Sequence, residues 1–214
     1  MLFLDSYFCR KKGGLRNGYY RIRNYRIVKL LTDTEETLEY DTKITRLTGA
    51  KSVKISPKVD SAENYGDDQL LETASAMGAI EVEIEVADLT LEERALILGY
   101  QYKDGVLIED KNFNPPNLAF GFESPKSQNG SRMVWLTKGV CEPFEEEAKT
   151  KEDKIEFQSQ KIKLKFMPRI HDGRHKITAD TDVENAPTDA QFFTTDFLKT
   201  GVKPTTPAKA NLNK

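Results

Sequence analysis

The stretch "AIEVEIEVADLTLEERALILGY", residues 79–100, restricts the fold more than any other part of the chain. In its first half Ile80, Val82, Ile84 and Val86 alternate with Glu81, Glu83 and Glu85. Successive side chains of a strand point to opposite faces, so the pattern predicts a strand with one apolar face and one wholly acidic face. Its counterpart is "SQKIKLKFMPR", residues 159–169, where Ile162, Leu164 and Phe166 alternate with Lys161, Lys163 and Lys165. Glutamates two apart on one face stand roughly 7 Å from each other and repel by about 0.6 kcal/mol in bulk water. As sheet neighbours, the two strands would form cross-strand ion pairs contributing about 0.2–1 kcal/mol each. As separate strands they would carry ordinary solvated outer faces. The sequence allows both.

The rest of the chain is punctuated as an antiparallel β protein is. Val53 and Ile55 share a face of a strand expected to end near Pro57. Residues 61–78, "SAENYGDDQLLETASAMG", have no clear period and read as a long connection of the functional or mobile kind. Thr90 and Glu93 form a T-x-x-E capping box, and Gly99 stands where a left-handed terminator belongs, which predicts a short helix. Leu91, Ala95 and Leu98 give that helix a stripe to lay on a sheet. Asp104-Gly105 predicts a type I′ hairpin turn, "PKSQNG" joins two further strands, and Asp172-Gly173 turns the chain again. The expected fold is mainly β, a β-sandwich or barrel of roughly seven or eight strands with one short flanking α-helix.

The chain has 214 residues, 38% hydrophobic and 31% charged, enough for a real core. No apolar run approaches the ~20 residues of a membrane span, and the opening "MLFLDSYFC" lacks the order of charge, apolar run and cleavage site of a signal peptide. Cys9 and Cys141 form no ligand pattern and are expected as free thiols. His171 and His175 are four apart, but Gly173 between them breaks the helix that a metal-binding pair would use. Neither a nucleophile elbow nor a phosphate-binding loop nor a dinucleotide fingerprint is present. No catalytic, cofactor or metal role is expected.

The formal charge is only −2, yet it is unevenly spread. Arg10, Lys11, Lys12, Arg16, Arg21, Arg23, Arg26 and Lys29 follow one another with no acid between, whereas "CEPFEEEAKTKEDK", from Cys141, is mostly acidic. Clustered arginine with tyrosine suits a nucleic-acid-binding module. It equally suits an arm that docks on the acidic patch of another subunit.

Several segments, in their order, are similar to the major tail (tail tube) proteins of long-tailed bacteriophages. They are "NYGDDQ" (64–69), "EVEIEVADL" running into "TLEERALILG" (81–99), "PPNLAFGF" (115–122), "VWLTKGV" (134–140) and "CEPFEEEAKTKEDKIEFQS" (141–159), with "GGLRNGYY" (13–20) similar to the family's opening. The likeness runs from about Thr48 to Thr181. It implies a phage tail-tube-like fold whose copies close into hexameric rings that stack into a tube through which DNA leaves the capsid. The implied partners are further copies of the chain, other tail proteins such as the tape measure and terminator, and DNA that passes without specific binding. The implied location is the virion, after assembly in the bacterial host cytoplasm, with no membrane partner. Under this resemblance residues 1–40 are a basic arm, 41–183 the β core and 184–214 a C-terminal arm or disordered tail. Glu81, Glu83 and Glu85 are the proposed lumen-facing residues, since carboxylates repel phosphates. Arg10, Lys11, Lys12, Arg16, Tyr65, Asp67, Asp68, Glu145, Glu146 and Glu147 are the proposed contacts between subunits or rings. Another ring-forming component such as a tail terminator shares these expectations, and a nucleic-acid-binding module remains the alternative.

Overall fold

The computed structural model describes residues 22–66, 69–111, 113–127, 129–144 and 159–203, with the backbone alone over 60–66 and 69–76. Eleven strands and three short helices occupy them. One antiparallel sheet takes the order β2 (Leu38–Tyr40), β1 (Arg23–Asp33), β8 (Leu118–Pro125), β9 (Ser131–Cys141), β10 (Gln160–Phe166), β5 (Gln69–Val86) and β4 (Ala50–Gly66). Off this path β3 (Thr45–Arg46) joins β1, and β11 (Lys176–Asp180) joins β9. A separate hairpin pairs β6 (Gln101–Lys103) with β7 (Val106–Ile108) through Asp104 and Gly105, both at positive φ (52° and 84°), as the type I′ turn requires. The chain is therefore mainly β and antiparallel. It carries three helices where one was expected.

Each face of the central strands buries its own cluster. Tyr25, Ile27, Ile80, Val82, Ile84, Phe120, Leu136, Ile162, Leu164 and Phe166 belong to the larger one, together with Ile97 and Leu98 of α1 (Leu91–Leu98). The helix starts and stops as its sequence dictates. Thr90 N donates to Glu93 Oε2 (2.9 Å), Glu93 N donates to Thr90 Oγ1 (3.2 Å), and Gly99 at φ 77° closes the end. Its buried stripe differs from the expected one: Ala95, Ile97 and Leu98 are buried, whereas Leu91 is exposed and Leu89, just ahead of the cap, is buried. Eight residues span only about 12 Å, and five strands about 19 Å. The flanking Tyr100, Phe113 and Phe144 and the sheet's own twist must therefore complete the cover.

The opposite face of β1, β8 and β9 is covered by the C-terminal segment. Phe192, Phe193, Phe197 and Leu198, from α2 (Asp189–Phe192) and α3 (Thr195–Thr200), pack on Val28, Leu30, Ala119, Met133 and Trp135. The Trp135 indole N–H donates to Phe192 O (3.0 Å). Arg169, fully buried, ties this layer down: it pairs with Asp172 and donates to Leu198 O (2.8 Å) and to the Tyr40 hydroxyl (3.3 Å). Residues 189–200 thus belong to the packed body, not to a tail beginning at 184. The Arg169–Arg174 turn, with Gly173 at φ 67°, separates His171 from His175, as the intervening glycine suggests. Cys141 is buried and free, and burial pushes its thiol up to about 12. Cys9 lies outside the described residues.

The N-terminal reading also needs correction. Residues 23–33, placed by their charge in a basic arm, form β1 in the body of the sheet. Arg23 pairs with Glu123 (2.7 Å), and Arg26 stacks over the Phe193 ring at 4.3 Å while approaching Asp189 (3.7 Å). Both cations are thus engaged by partners within the fold. Burial pushes the Glu123 carboxyl upward, but hydrogen bonds from Arg23, Ser131 and Asn24 outweigh it and keep it below the usual range.

Candidate functional site

Lys161, Lys163 and Lys165 of β10 stand directly across from Glu85, Glu83 and Glu81 of β5. The two complementary patterns are neighbours in one sheet. Parity then fixes the outcome: the apolar residues of both strands enter the larger core, and all six charges share the outer face. On the other side of β5, strand β4 continues the rows, with Ser52 across from Glu85, Lys54 from Glu83 and Ser56 from Glu81. Across the three strands one row therefore reads Lys54–Glu83–Lys163.

Individual contacts run partly along diagonals. Lys161 Nζ reaches Glu83 Oε1 at 3.2 Å, and Lys58 Nζ reaches Glu81 Oε1 at 2.7 Å. Ser159 Oγ donates to Glu85 Oε1 (2.7 Å) and Ser52 Oγ to Glu85 Oε2 (3.4 Å). The Ser159 bond chiefly, with Lys51, Ser52 and Lys161 assisting, holds the Glu85 carboxyl below the usual carboxylate range. Three glutamates thus share this face with Lys54, Lys58, Lys161, Lys163 and Lys165. The outer face is a mixed charge lattice: of the two arrangements the sequence allows, the one with β5 and β10 as sheet neighbours is present. Lys54 was readable from the alternation around Val53 and Ile55. The place of β4 beside β5 was not.

The second element is the β4–β5 hairpin itself. β10 accompanies β5 only between Val86 and Ile80, yet β4 and β5 stay paired as far as Gly66 and Gln69. The segment 61–78, read as a long connection without clear period, contributes residues 61–66 and 69–78 to the outer half of this hairpin. A bulge stands at its root, where register passes from Pro57/Ile80 to Val59/Met77. Bulges bend a strand and increase its twist, and this one lies where the ribbon leaves the sheet. Eight residues of ribbon extend about 26 Å. Val59 and Met77 at the root are exposed apolar side chains. Among the described residues β4 pairs with no strand but β5, so its outer edge is open from Ala50 to Gly66. The other end of the sheet path is β2, reached from β1 by the tight turn Thr34–Thr37 (Thr34 N to Thr37 O, 2.9 Å).

Of the residues expected at subunit contacts, Tyr65 lies in β4 near the ribbon's tip, with its backbone across from Leu70. Arg10, Lys11, Lys12, Arg16, Asp67, Asp68, Glu145, Glu146 and Glu147 lie outside the described residues. Among the described residues no group of three or more His, Cys, Asp or Glu side chains is placed to hold a metal ion, and no helix is long and apolar enough to cross a membrane. Compared with known proteins, the chain matches no family model and no curated protein.

Proposed function

We propose that this protein is a structural subunit that assembles with copies of itself into stacked rings, forming the tail tube of a long-tailed bacteriophage and a passage for its DNA. The observation that carries the reading is the β4–β5 hairpin. A two-stranded ribbon alone in water is at best marginally stable, and a long open strand edge invites pairing with another chain. A protein that keeps both on one hairpin has a use for them, and addition of a neighbouring copy satisfies the backbone groups and covers Val59 and Met77. The sheet is the element that a tail-tube-like β-sandwich would extend from subunit to subunit.

The charge lattice suits the wall of the passage. Lysines already held by glutamates offer less to a passing phosphate than lysines alone, because binding to nucleic acid grows with each phosphate neutralised. The Glu81, Glu83 and Glu85 rows therefore act by occupying Lys58, Lys161 and their neighbours, not by forming a bare negative surface. Negative-stain electron microscopy of concentrated protein tests the assembly directly. Rings or tubes of uniform width are expected, and a particle that stays monomeric at every concentration would overturn the reading.

A further inference from the structure

The two ends of the sheet path are oppositely charged. Along β4 the described side chains from Ala50 to Val59 include Lys51, Lys54 and Lys58, all exposed, and no acid. Around β2, residues 33–42 include Asp33, Glu35, Glu36, Glu39 and Asp41 and no base. Asp33 is buried against Lys138, whereas Glu35, Glu36 and Glu39 are exposed. The Thr34–Thr37 turn, closed by its backbone bond and by Thr37 N donating to Thr34 Oγ1 (3.0 Å), carries Glu35 and Glu36 at its tip, with Glu39 on β2 itself.

We infer that these ends are the two halves of one head-to-tail contact between copies, in which Lys51 and Lys54 of one copy face Glu36 and Glu39 of the next. The inference rests on the self-assembly proposed above and supplies its interface. Charge also selects the symmetry. A two-fold contact of β4 with β4 sets lysine against lysine, and one of β2 with β2 sets glutamate against glutamate, each unfavourable when directly opposed. Heterologous joining of β4 to β2 instead sets the exposed lysines of one end against the exposed glutamates of the other, and that kind of contact propagates from copy to copy until it closes or continues. It also engages the open edge of β4.

The test uses two double variants, Lys51→Glu/Lys54→Glu and Glu36→Lys/Glu39→Lys, with melting curves to show that each still folds. Light scattering and electron microscopy then follow assembly of the wild type, each variant alone, and the two variants mixed in equal amounts. Each variant alone should need about tenfold more protein or higher to assemble, as expected when opposed ion pairs become like-charge contacts. The mixture should recover, because the reversed β4 of one variant meets the reversed β2 of the other. Wild-type rings with variants that assemble equally well, or folded variants whose mixture fails to recover, would overturn this contact and leave the ring reading standing. Wild-type chains or small oligomers that obey the same charge rules without forming rings would keep the contact and overturn the tube. A wild type that stays monomeric throughout would overturn both.

Discussion

Gly121 lies directly across the β8–β9 ladder from Trp135, and a methyl group at residue 121 would stand 2.7 Å from the indole Cε3. The side of the sheet that receives the C-terminal helices is thus built around one large ring and the glycine that makes room for it. Ala119, two residues earlier on β8, keeps the same face shallow.

Gly121→Ala should therefore destabilise the fold by about 1–3 kcal/mol, the usual cost of overpacking a filled core. Trp135 is the chain's only tryptophan, so its fluorescence reports urea unfolding without interference. An unchanged midpoint would show that the indole has room to move.

The ion pair between Asp33 and Lys138 (2.7 Å) is nearly enclosed, with side chains 5% and 11% exposed. Asp33 also accepts from the Ile170 and His171 backbone N–H groups and so anchors the Arg169–Arg174 turn. Asp33→Ala should cost about 3–5 kcal/mol, because it leaves a buried ammonium without its partner. Lys138→Met, which keeps much of the volume, should cost less, since the Ile170 and His171 N–H groups still donate to the carboxylate. Denaturant unfolding of both variants measures this.

The carboxyl of Asp180 is held down to about 2, chiefly by the hydrogen bond from Arg132, with Lys126 contributing. A depressed carboxyl contributes stability above its unfolded value near 4 and loses it as pH falls through the folded value. The contribution, about 1–2 kcal/mol after solvent screening, should therefore fade between about pH 4 and pH 2. Melting temperature against pH should fall more steeply over that window in the wild type than in Asp180→Asn. Parallel curves would remove Asp180 from the acid response.

Glu81→Gln/Glu83→Gln/Glu85→Gln removes three acids from a face that also carries five lysines. Under the proposed function the assembled variant should hold DNA where the wild type does not. The log–log salt dependence should steepen by up to about 3, one unit or slightly less per phosphate newly neutralised. Fluorescence anisotropy of labelled duplex at several salt concentrations reads it out. Equal binding by variant and wild type would remove these glutamates from the wall of the passage.

How far the fold could be read depended on whether each local pattern had a single cause. Thr90, Glu93 and Gly99 set the helix limits through their own chemistry, and Asp104-Gly105 did the same for the hairpin. The Glu and Lys alternations announced two half-buried strands, and their complementarity raised the pairing that the structure contains. Strand β1 was obscured because both of its faces are buried: Tyr25 and Ile27 serve one cluster, Val28 and Leu30 the other, which breaks the period of two. With the period lost, Arg23 and Arg26 drew attention to charge alone. The 61–78 ribbon was obscured for the opposite reason. Among the described residues it has, beyond β10, no sheet neighbour except its own partner, so none of them imposes alternation on its sequence. Helices of four and six residues are too short to display a period, and only Phe192, Phe193 and Phe197 hinted at docking.

Pro57 sits within β4, at the last regular pair before the bulge. A sheet accommodates proline only where its nitrogen points away from the neighbouring strand, so at this residue the outward side of β4 has no donor to give. A strand arriving from outside can zip along Ala50–Ser56 but meets a break at the threshold of the ribbon. The long rim is thereby cut into short stretches, which denies an amyloid-like stack the unbroken template it would need to spread.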